Sequence, residues 1–255
     1  PTLYRDQIMV NATVPAVAPD QVADVLSHFD GCRTAKVKVG EPGQLLSEDV
    51  ERVREVRRIL GPEGRIRVDA NAAWNVDEAE HAFHALAEFD LEYVEQPCAS
   101  LEELAELRER THYMDVLIAA DESIRKAEDP RAVAQAVAAD VLVLKAQPLG
   151  GVSKIVELSE EVSLPIVLSS ALESSVGIAM GLYAAAAVKN LDYDCGLGTA
   201  SLLAGDVTEA PLVAQGGSIA LQRPDVSKEL LERFSASPDT IAWWLERLER
   251  CYDLL

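Results

Sequence analysis

Eight short apolar runs rich in β-branched residues recur along this chain, and stretches with helical periodicity lie between them. The runs are 7–14 (QIMVNATV), 34–39 (TAKVKV), 65–70 (RIRVDA), 91–96 (LEYVEQ), 116–121 (VLIAAD), 141–146 (VLVLKA), 165–170 (PIVLSS) and, least regular, 191–198 (LDYDCGLG). In the intervening stretches apolar residues stand three or four apart, as in Val50, Val53, Val56 and Leu60 or in Leu101, Leu104 and Leu107, which gives a helix one apolar face. Helix starts are expected at Asp20 after Pro19, at Ser47 ahead of an acidic turn, and at Ser100, where Glu103 completes a capping box.

Strands that alternate with helices pair in parallel, because each helix carries the chain back across the sheet. Eight units at a repeat of about 25 to 30 residues predict an α/β fold, and the even spacing favours a closed (β/α)8-type TIM barrel over an open doubly wound sheet. The 255 residues suffice for one such barrel. Residues 1–225 are expected to form it as the catalytic domain, with 226–255 as a helical tail, including Trp243 and Trp244, packed on its outside.

Against 23 Lys plus Arg stand 43 Asp plus Glu, a formal charge of −20, which repels phosphate backbones and anionic lipid. Nucleic acid and membrane surfaces are therefore not expected partners. No run of about 18 uncharged apolar residues occurs, and PTLYRDQIMV lacks the basic start and apolar stretch of a signal peptide, so a cytoplasmic location is expected. Cys32, Cys98, Cys195 and Cys251 are scattered without a CxxC pair and are expected to be reduced and structural.

A β/α barrel carries its active site at the C-terminal ends of the strands. There the chain places Lys36 and Lys38, two apart and so on one face, then Asp69 with Asn71 beyond it, Glu95, Asp121 with Glu122, and Lys145. Asp69, Glu95 and Asp121 follow one another at intervals of 26 residues, one acid per βα unit. Three convergent carboxylates without His or Cys repel one another unless a cation joins them, and oxygen-only ligation selects a hard ion, Mg²⁺ first and Mn²⁺ as the alternative. Lysines flanking such an ion have their pKa lowered by its charge and by burial, which suits a general base and points to enolate chemistry.

The strings KVK, VDAN, EQP, ADES and VLK, in that order at successive strand ends, resemble the enolase superfamily. More narrowly, NATVPA, TAKVKV, RVDANAAW, EYVEQPCA, AADESIRKAEDP, PLGG, SSALESSVGIA and CGLGT resemble the o-succinylbenzoate synthases of actinobacterial type, lyases of menaquinone biosynthesis, from about residue 7 to the C-terminus. The resemblance implies Asp69, Glu95 and Asp121 as Mg²⁺ ligands and Lys38 as the base that removes the proton α to the substrate carboxylate and then, as acid, expels hydroxide. It implies Lys145 as the charge that stabilises the enediolate from across the ring, and Lys36 as electrostatic support for Lys38. Asn71 and Glu122 would orient the metal ligands, while Ser169, Ser170, Glu173, Gly198 and Thr199 are candidates for holding a succinyl tail. The substrate implied is a small carboxylate, 2-succinyl-6-hydroxy-2,4-cyclohexadiene-1-carboxylate. Family members carry an N-terminal α+β capping domain, and this sequence starts at the barrel, so the cap is expected to be absent from the chain.

The same site could instead run the 1,1-proton transfer of N-succinylamino acid racemases, with lysines as bases on opposite faces. A Schiff-base aldolase on Lys145 and an inactive lidless barrel are the further alternatives. The residues do not decide an oligomeric state. His81 and His84 are read as surface or packing residues of an outer helix, Gly177 and Gly181 as close packing on the barrel, and Gly150–Gly151 as a strand-to-helix turn.

Overall fold

The computed structural model describes residues 1–126 and 129–254; Ala127 and Glu128, inside the AADESIRKAEDP string, and Leu255, at the end of the tail, lie outside the described residues. In chain order the elements are β1 (Gln7–Met9), β2 (Ala12–Val14), α1 (Val22–Ser27), β3 (Thr34–Lys38), α2 (Leu46–Leu60), β4 (Arg65–Asp69), α3 (Val76–Leu86), β5 (Leu91–Glu95), α4 (Leu101–Thr111) and β6 (Leu117–Ala120). They continue with α5 (Glu122–Arg125), α6 (Ala132–Gln135), β7 (Val141–Leu144), α7 (Val152–Glu161), β8 (Ile166–Leu168), α8 (Ser175–Ala187), β9 (Ser218–Ala220), α9 (Lys228–Arg233) and α10 (Pro238–Tyr252).

Strands β2 to β8 make one curled parallel sheet of seven strands in sequence order. The run 191–198 does not form an eighth strand. It takes the eighth position through two bridging residues: Cys195 N donates to Met9 O at 2.8 Å and Asn11 N to Cys195 O at 3.0 Å, while Gly196 N donates to Leu168 O at 2.8 Å and Ser170 N to Gly196 O at 3.0 Å. Aspartates and glycines at 192, 194, 196 and 198 are poor strand formers, so only the stretch gripped from both sides is held extended. The run 7–14 also divides: β1 leaves the ring to pair antiparallel with β9, Ile8 opposite Ile219, a strand the sequence did not signal.

Parity along the strands separates two apolar regions. Ala35, Val37, Val68, Val94, Ile118 and Leu142 point outward into the main core beneath the helices, among Val53, Val56, Phe83, Leu104 and Leu107. The inward parity gives a small lumen cluster of Tyr93, Ala119, Val141, Val143 and Val167. Inward and above that cluster stand the polar strand ends, so the barrel fills its own floor and presents charge at its mouth.

Ser100 caps α4 as expected, accepting from Glu103 N at 3.2 Å. The other two starts differ. Asp20 lies inside a 3-10 turn, Pro19–Gln21, ahead of α1. Ser47 lies within α2, where Glu48 turns back to accept from Leu45 N at 2.7 Å. Asn75 caps α3 with Glu78 in a reciprocal box, a start that the apolar periodicity alone does not mark.

The tail meets the barrel only in part. Ser227 N donates to Val207 O at 2.9 Å, and the Phe234 ring lies over Gly205. Helix α10 has no buried residue, and Ile241, Trp243, Trp244, Leu245 and Leu248 are exposed, so this part of the 226–255 tail is not packed on the barrel. Among the described residues no helix is long and apolar enough to cross a membrane.

Candidate active site

Register assembles the site. Lys38 stands opposite Asp69 in the β3–β4 pair, and Asp69 opposite Glu95 in the β4–β5 pair. Glu95 is opposite Ala119 on β6, and Asp121, two residues on, keeps the same inward parity. Lys145 follows the last residue of β7. A central strand has no exposed edge for these charges, so inward parity commits them to the mouth.

They neutralise one another there. Lys36 Nζ lies 2.9 Å from Glu95 Oε1, 3.0 Å from Glu95 Oε2 and 3.1 Å from Asp69 Oδ2. Lys38 Nζ donates to Asp69 Oδ2 at 2.6 Å and to Asn71 Oδ1 at 2.7 Å. Lys145 Nζ donates to Asp121 Oδ2 at 2.5 Å, and Arg125 Nε to Asp121 Oδ1 at 3.2 Å. Lys38 is the most open of the three lysines, its side chain 29% exposed against 8% for Lys36 and 11% for Lys145, so it is the one best placed to meet a substrate.

Burial and like charge push the Glu95 carboxyl up to about 7, with Asp69 and Asp121 outweighing Lys36. Asp69 is buried too, yet Lys36 and Lys38 hold it well below the usual carboxylate range. Burial alone would lower Lys36, but Glu95 and Asp69 overcome it and hold the ammonium well above the ordinary lysine range.

Among the described residues no three His, Cys, Asp or Glu side chains converge closely enough to hold an ion as they stand. Each acid is turned onto an ammonium instead. The donor set nonetheless fits a hard cation: it is all oxygen, it is buried, and the Lys36 ammonium already fills the space between Asp69 and Glu95 as a cation must. A cation there would offset both the burial and the neighbouring acids that raise Glu95.

Asn71 and Glu122 meet each other, Asn71 Nδ2 to Glu122 Oε1 at 3.3 Å, and so link the Asp69 and Asp121 sides of the mouth. Asn71 N also donates to Asp69 Oδ1 at 3.0 Å, and Arg125 Nη2 to Glu122 Oε1 at 2.8 Å. Glu122 Oε2 is buried without a partner. Of the residues considered for a succinyl tail, Ser170 Oγ and Thr199 Oγ1 lie 2.6 Å apart, and Ser170 Oγ also donates to Gly196 O at 3.0 Å. Ser169 is buried, its hydroxyl against Gly196. Glu173 Oε2 accepts from Ala171 N at 2.7 Å, whereas Oε1 is buried and unpartnered. A Cβ on Gly198 would press on Asn11 O and the Phe29 ring, so packing accounts for that glycine.

Three contributors were missed. Gln96 is fully buried with φ 39°; its Oε1 accepts from Asp121 N at 3.0 Å and Ser123 N at 3.1 Å, and its Nε2 donates to Ser123 Oγ at 2.7 Å. With Asn71 (φ 46°) and Ala72 (φ 65°) it makes a left-handed patch just beyond Asp69 and Glu95, the kind of strain that surrounding structure must hold in place. Arg125 sits four residues after Asp121 as the last residue of α5, a spacing that could have revealed it. Arg67, two residues before Asp69 and thus also inward, is buried in the lumen with its guanidinium 4.9 Å from the Tyr93 ring centre and 5.5 Å from that of Tyr193. It donates to Glu92 Oε2 and Asp194 O, each at 2.6 Å, and forms the charged floor under the acids.

His81 and His84 are exposed on α3, His84 Nε2 3.0 Å from the Tyr113 hydroxyl. A Cβ on Gly181 would stand 2.6 Å from Leu197 Cδ2, so this glycine lets α8 sit close on the barrel. Gly150 and Gly151 have φ of 92° and 101° and turn the chain from β7 into α7.

Residues 20–225 match the family described as Enolase C-terminal domain-like. The chain is 52% identical over 256 residues to the o-succinylbenzoate synthases of Mycobacterium tuberculosis and of Mycobacterium marinum, covering 100% of this chain and 76% of each relative. Among solved structures it is similar to a muconate lactonizing enzyme from Mycobacterium smegmatis (TM-score 0.80, 21% identity, 92% of this chain and 68% of that one). It is also similar to the L-Ala-D/L-Glu epimerase of Bacillus subtilis (TM-score 0.74, 28% identity, 88% and 63%). The chain belongs to the enolase superfamily, within the family of the o-succinylbenzoate synthases.

Proposed function

We propose that this enzyme eliminates water from 2-succinyl-6-hydroxy-2,4-cyclohexadiene-1-carboxylate to give o-succinylbenzoate, with Mg²⁺ as cofactor and Mn²⁺ as the alternative ion. The identity of 52% along the whole chain to synthases of that name carries the proposal. The pairing of three inward acids with three lysines at one barrel mouth supports it. The reading includes a place in menaquinone biosynthesis and in the cytoplasm.

When bound, the divalent cation would neutralise the negative charge that builds on the ring carboxylate, held by Asp69, Glu95 and Asp121. Lys38 removes the proton α to that carboxylate, and the electron pair passes into the carboxylate to give an enediolate. Lys145, on the other side of the mouth, places its ammonium against the developing charge. Lys36, which bridges Glu95 and Asp69 when no ion is held there, would yield that space to the cation and keep its positive charge beneath Lys38. The C6 hydroxyl then leaves with the proton Lys38 took, as water, and the ring becomes aromatic. Asn71 and Glu122 keep the acids in place from behind. On the β8 and 195–199 side the hydroxyls of Ser169, Ser170 and Thr199 are the candidate donors to a succinyl carboxylate, with Glu173 beside them as an acceptor.

Lysines approaching from two sides also suit a 1,1-proton transfer on an N-succinylamino acid. Turnover of both substrates by the Mg²⁺-loaded enzyme decides between them: the dehydration is expected to have the higher kcat/KM, and racemisation faster than dehydration would overturn the assignment. Trapping of Lys145 by borohydride and substrate in excess EDTA would instead establish Schiff-base chemistry.

A further inference from the structure

Helix α2 faces away from the mouth, yet one of its side chains reaches the main chain of the base. Arg52 is 1% exposed and uses every nitrogen of its guanidinium. Nε donates to Val17 O at 2.6 Å, Nη1 to Lys38 O at 2.9 Å and to Asp49 Oδ1 at 2.7 Å, and Nη2 to Gln44 Oε1 at 2.6 Å. Its partners extend the grip: Asp49 Oδ2 accepts from Gly40 N at 2.9 Å, and Gln44 Nε2 donates to Ala16 O at 3.0 Å. One buried ion pair thus ties together the loop after β2, the end of β3 and the β3–α2 loop.

The ladder explains why this bond is needed. Val39 N donates across to Asp69 O, so the carbonyl of Lys38, one residue earlier, faces the β2 side. Strand β2 ends at Val14, so the ladder stops short of the Lys38 carbonyl, and beyond it Val17 N turns back onto Pro15 O. Arg52 supplies the missing donor at the residue whose Nζ must reach the substrate. We infer that Arg52, held by Asp49, is a positioning residue for catalysis: it fixes the main chain of Lys38 and hence the approach of the base to the α-proton. The inference rests on Lys38 being that base. A planar fork with donors in four directions is not replaced by an ammonium, and a displacement of about 1 Å at a reacting group can cost on the order of 100-fold in rate.

Arg57, on the same helix, is the internal control. It grips the opposite end of the barrel through Gly61 O at 2.9 Å, Gly64 O, and Phe89 O at 2.7 Å, remote from the mouth. The test compares Arg52→Lys, Arg52→Met and Arg57→Met in the Mg²⁺-loaded enzyme, with melting temperature, kcat, KM and hydrogen exchange at the Gly40 amide. Both Arg52 variants should lose roughly 10- to 100-fold in kcat with KM changed less than about threefold, and Gly40 should exchange at least about tenfold faster. Arg57→Met should lower the melting temperature while leaving kcat and Gly40 exchange near the parent values. A folded Arg52→Lys with parental kcat, or an equal kcat loss in Arg57→Met, would overturn the inference. If Lys38→Ala kept its turnover, the base assignment itself would fall, and the Gly40 exchange would still show whether Arg52 holds the strand end.

Discussion

Replacing Glu95 by Gln in metal-free protein should change the pH dependence of stability in a specific direction. The carboxyl is fully buried beside two other acids and is raised from the ordinary 4.5 to about 7. Its folded form therefore keeps its proton when the unfolded form has lost it. The stability associated with that proton is fully present below pH 4.5 and is lost as pH rises through about 7. At about 1.4 kcal/mol for each tenfold in proton affinity, the loss is roughly 3 kcal/mol. For a barrel of this size 1 kcal/mol moves the midpoint by about 2 to 4 °C, so the carboxylate should lower the melting temperature by roughly 6 to 12 °C between pH 4.5 and 8. Glu95→Gln carries no such charge. Thermal unfolding in EDTA at pH 5, 6, 7 and 8 should show the variant gaining on the parent as pH rises, and millimolar Mg²⁺ should stabilise the parent but not the variant. Parallel curves for the two proteins, within about 2 °C across the range, would refute the claim that Glu95 is strained by burial and like charge.

Lys38→Ala should reduce kcat by about 100- to 10,000-fold with the Mg²⁺-dependent rise in melting temperature retained, as measured by steady-state kinetics beside calorimetry. Arg67→Met removes a charge buried between Tyr93, Tyr193, Glu92 and Asp194, and should cost about 3 to 5 kcal/mol in denaturant unfolding. Gly181→Ala places a methyl group 2.6 Å from Leu197 Cδ2 and should destabilise by about 1 to 3 kcal/mol, with KM following only if α8 shifts the 195–199 segment.

The barrel and its charged mouth were legible because both follow from parity. Lys36, Lys38, Asp69, Glu95 and Asp121 stand at fixed offsets from apolar runs, and an inward position on a parallel strand leaves a charged side chain few places to go. Arg67 obeyed the same rule and was overlooked only because it falls one layer below the strand ends. Gln96 was less accessible: beside an inward Glu95 it should point outward, and its positive φ, invisible in the string EQP, turns it back onto Asp121 N. The 191–198 segment misled because its apolar residues suggested a strand, while its glycines and aspartates let only Cys195 and Gly196 be gripped. Helix α10 has the amphipathic pattern of a packed helix, and a pattern of that kind reports that a face is apolar without saying what covers it.

The closure at Cys195 and Gly196 makes the ring a band with one short clasp. Strands β3, β4 and β5 are laced along their lengths, whereas at the closure a single residue on each side, Cys195 and Gly196, holds the ends together. Sub-global opening concentrates where the fewest bonds must break, so the clasp is where the band should part before the molecule unfolds. Burial pushes the Cys195 thiol up to about 12, which leaves it inert while the clasp is shut. Each opening would bare that sulfur to solvent, turning it into a clock for the event. Because Ser170 and Thr199 bracket the clasp at the mouth, a substrate carboxylate bridging them would act as a latch, and occupancy of the site would slow the clock.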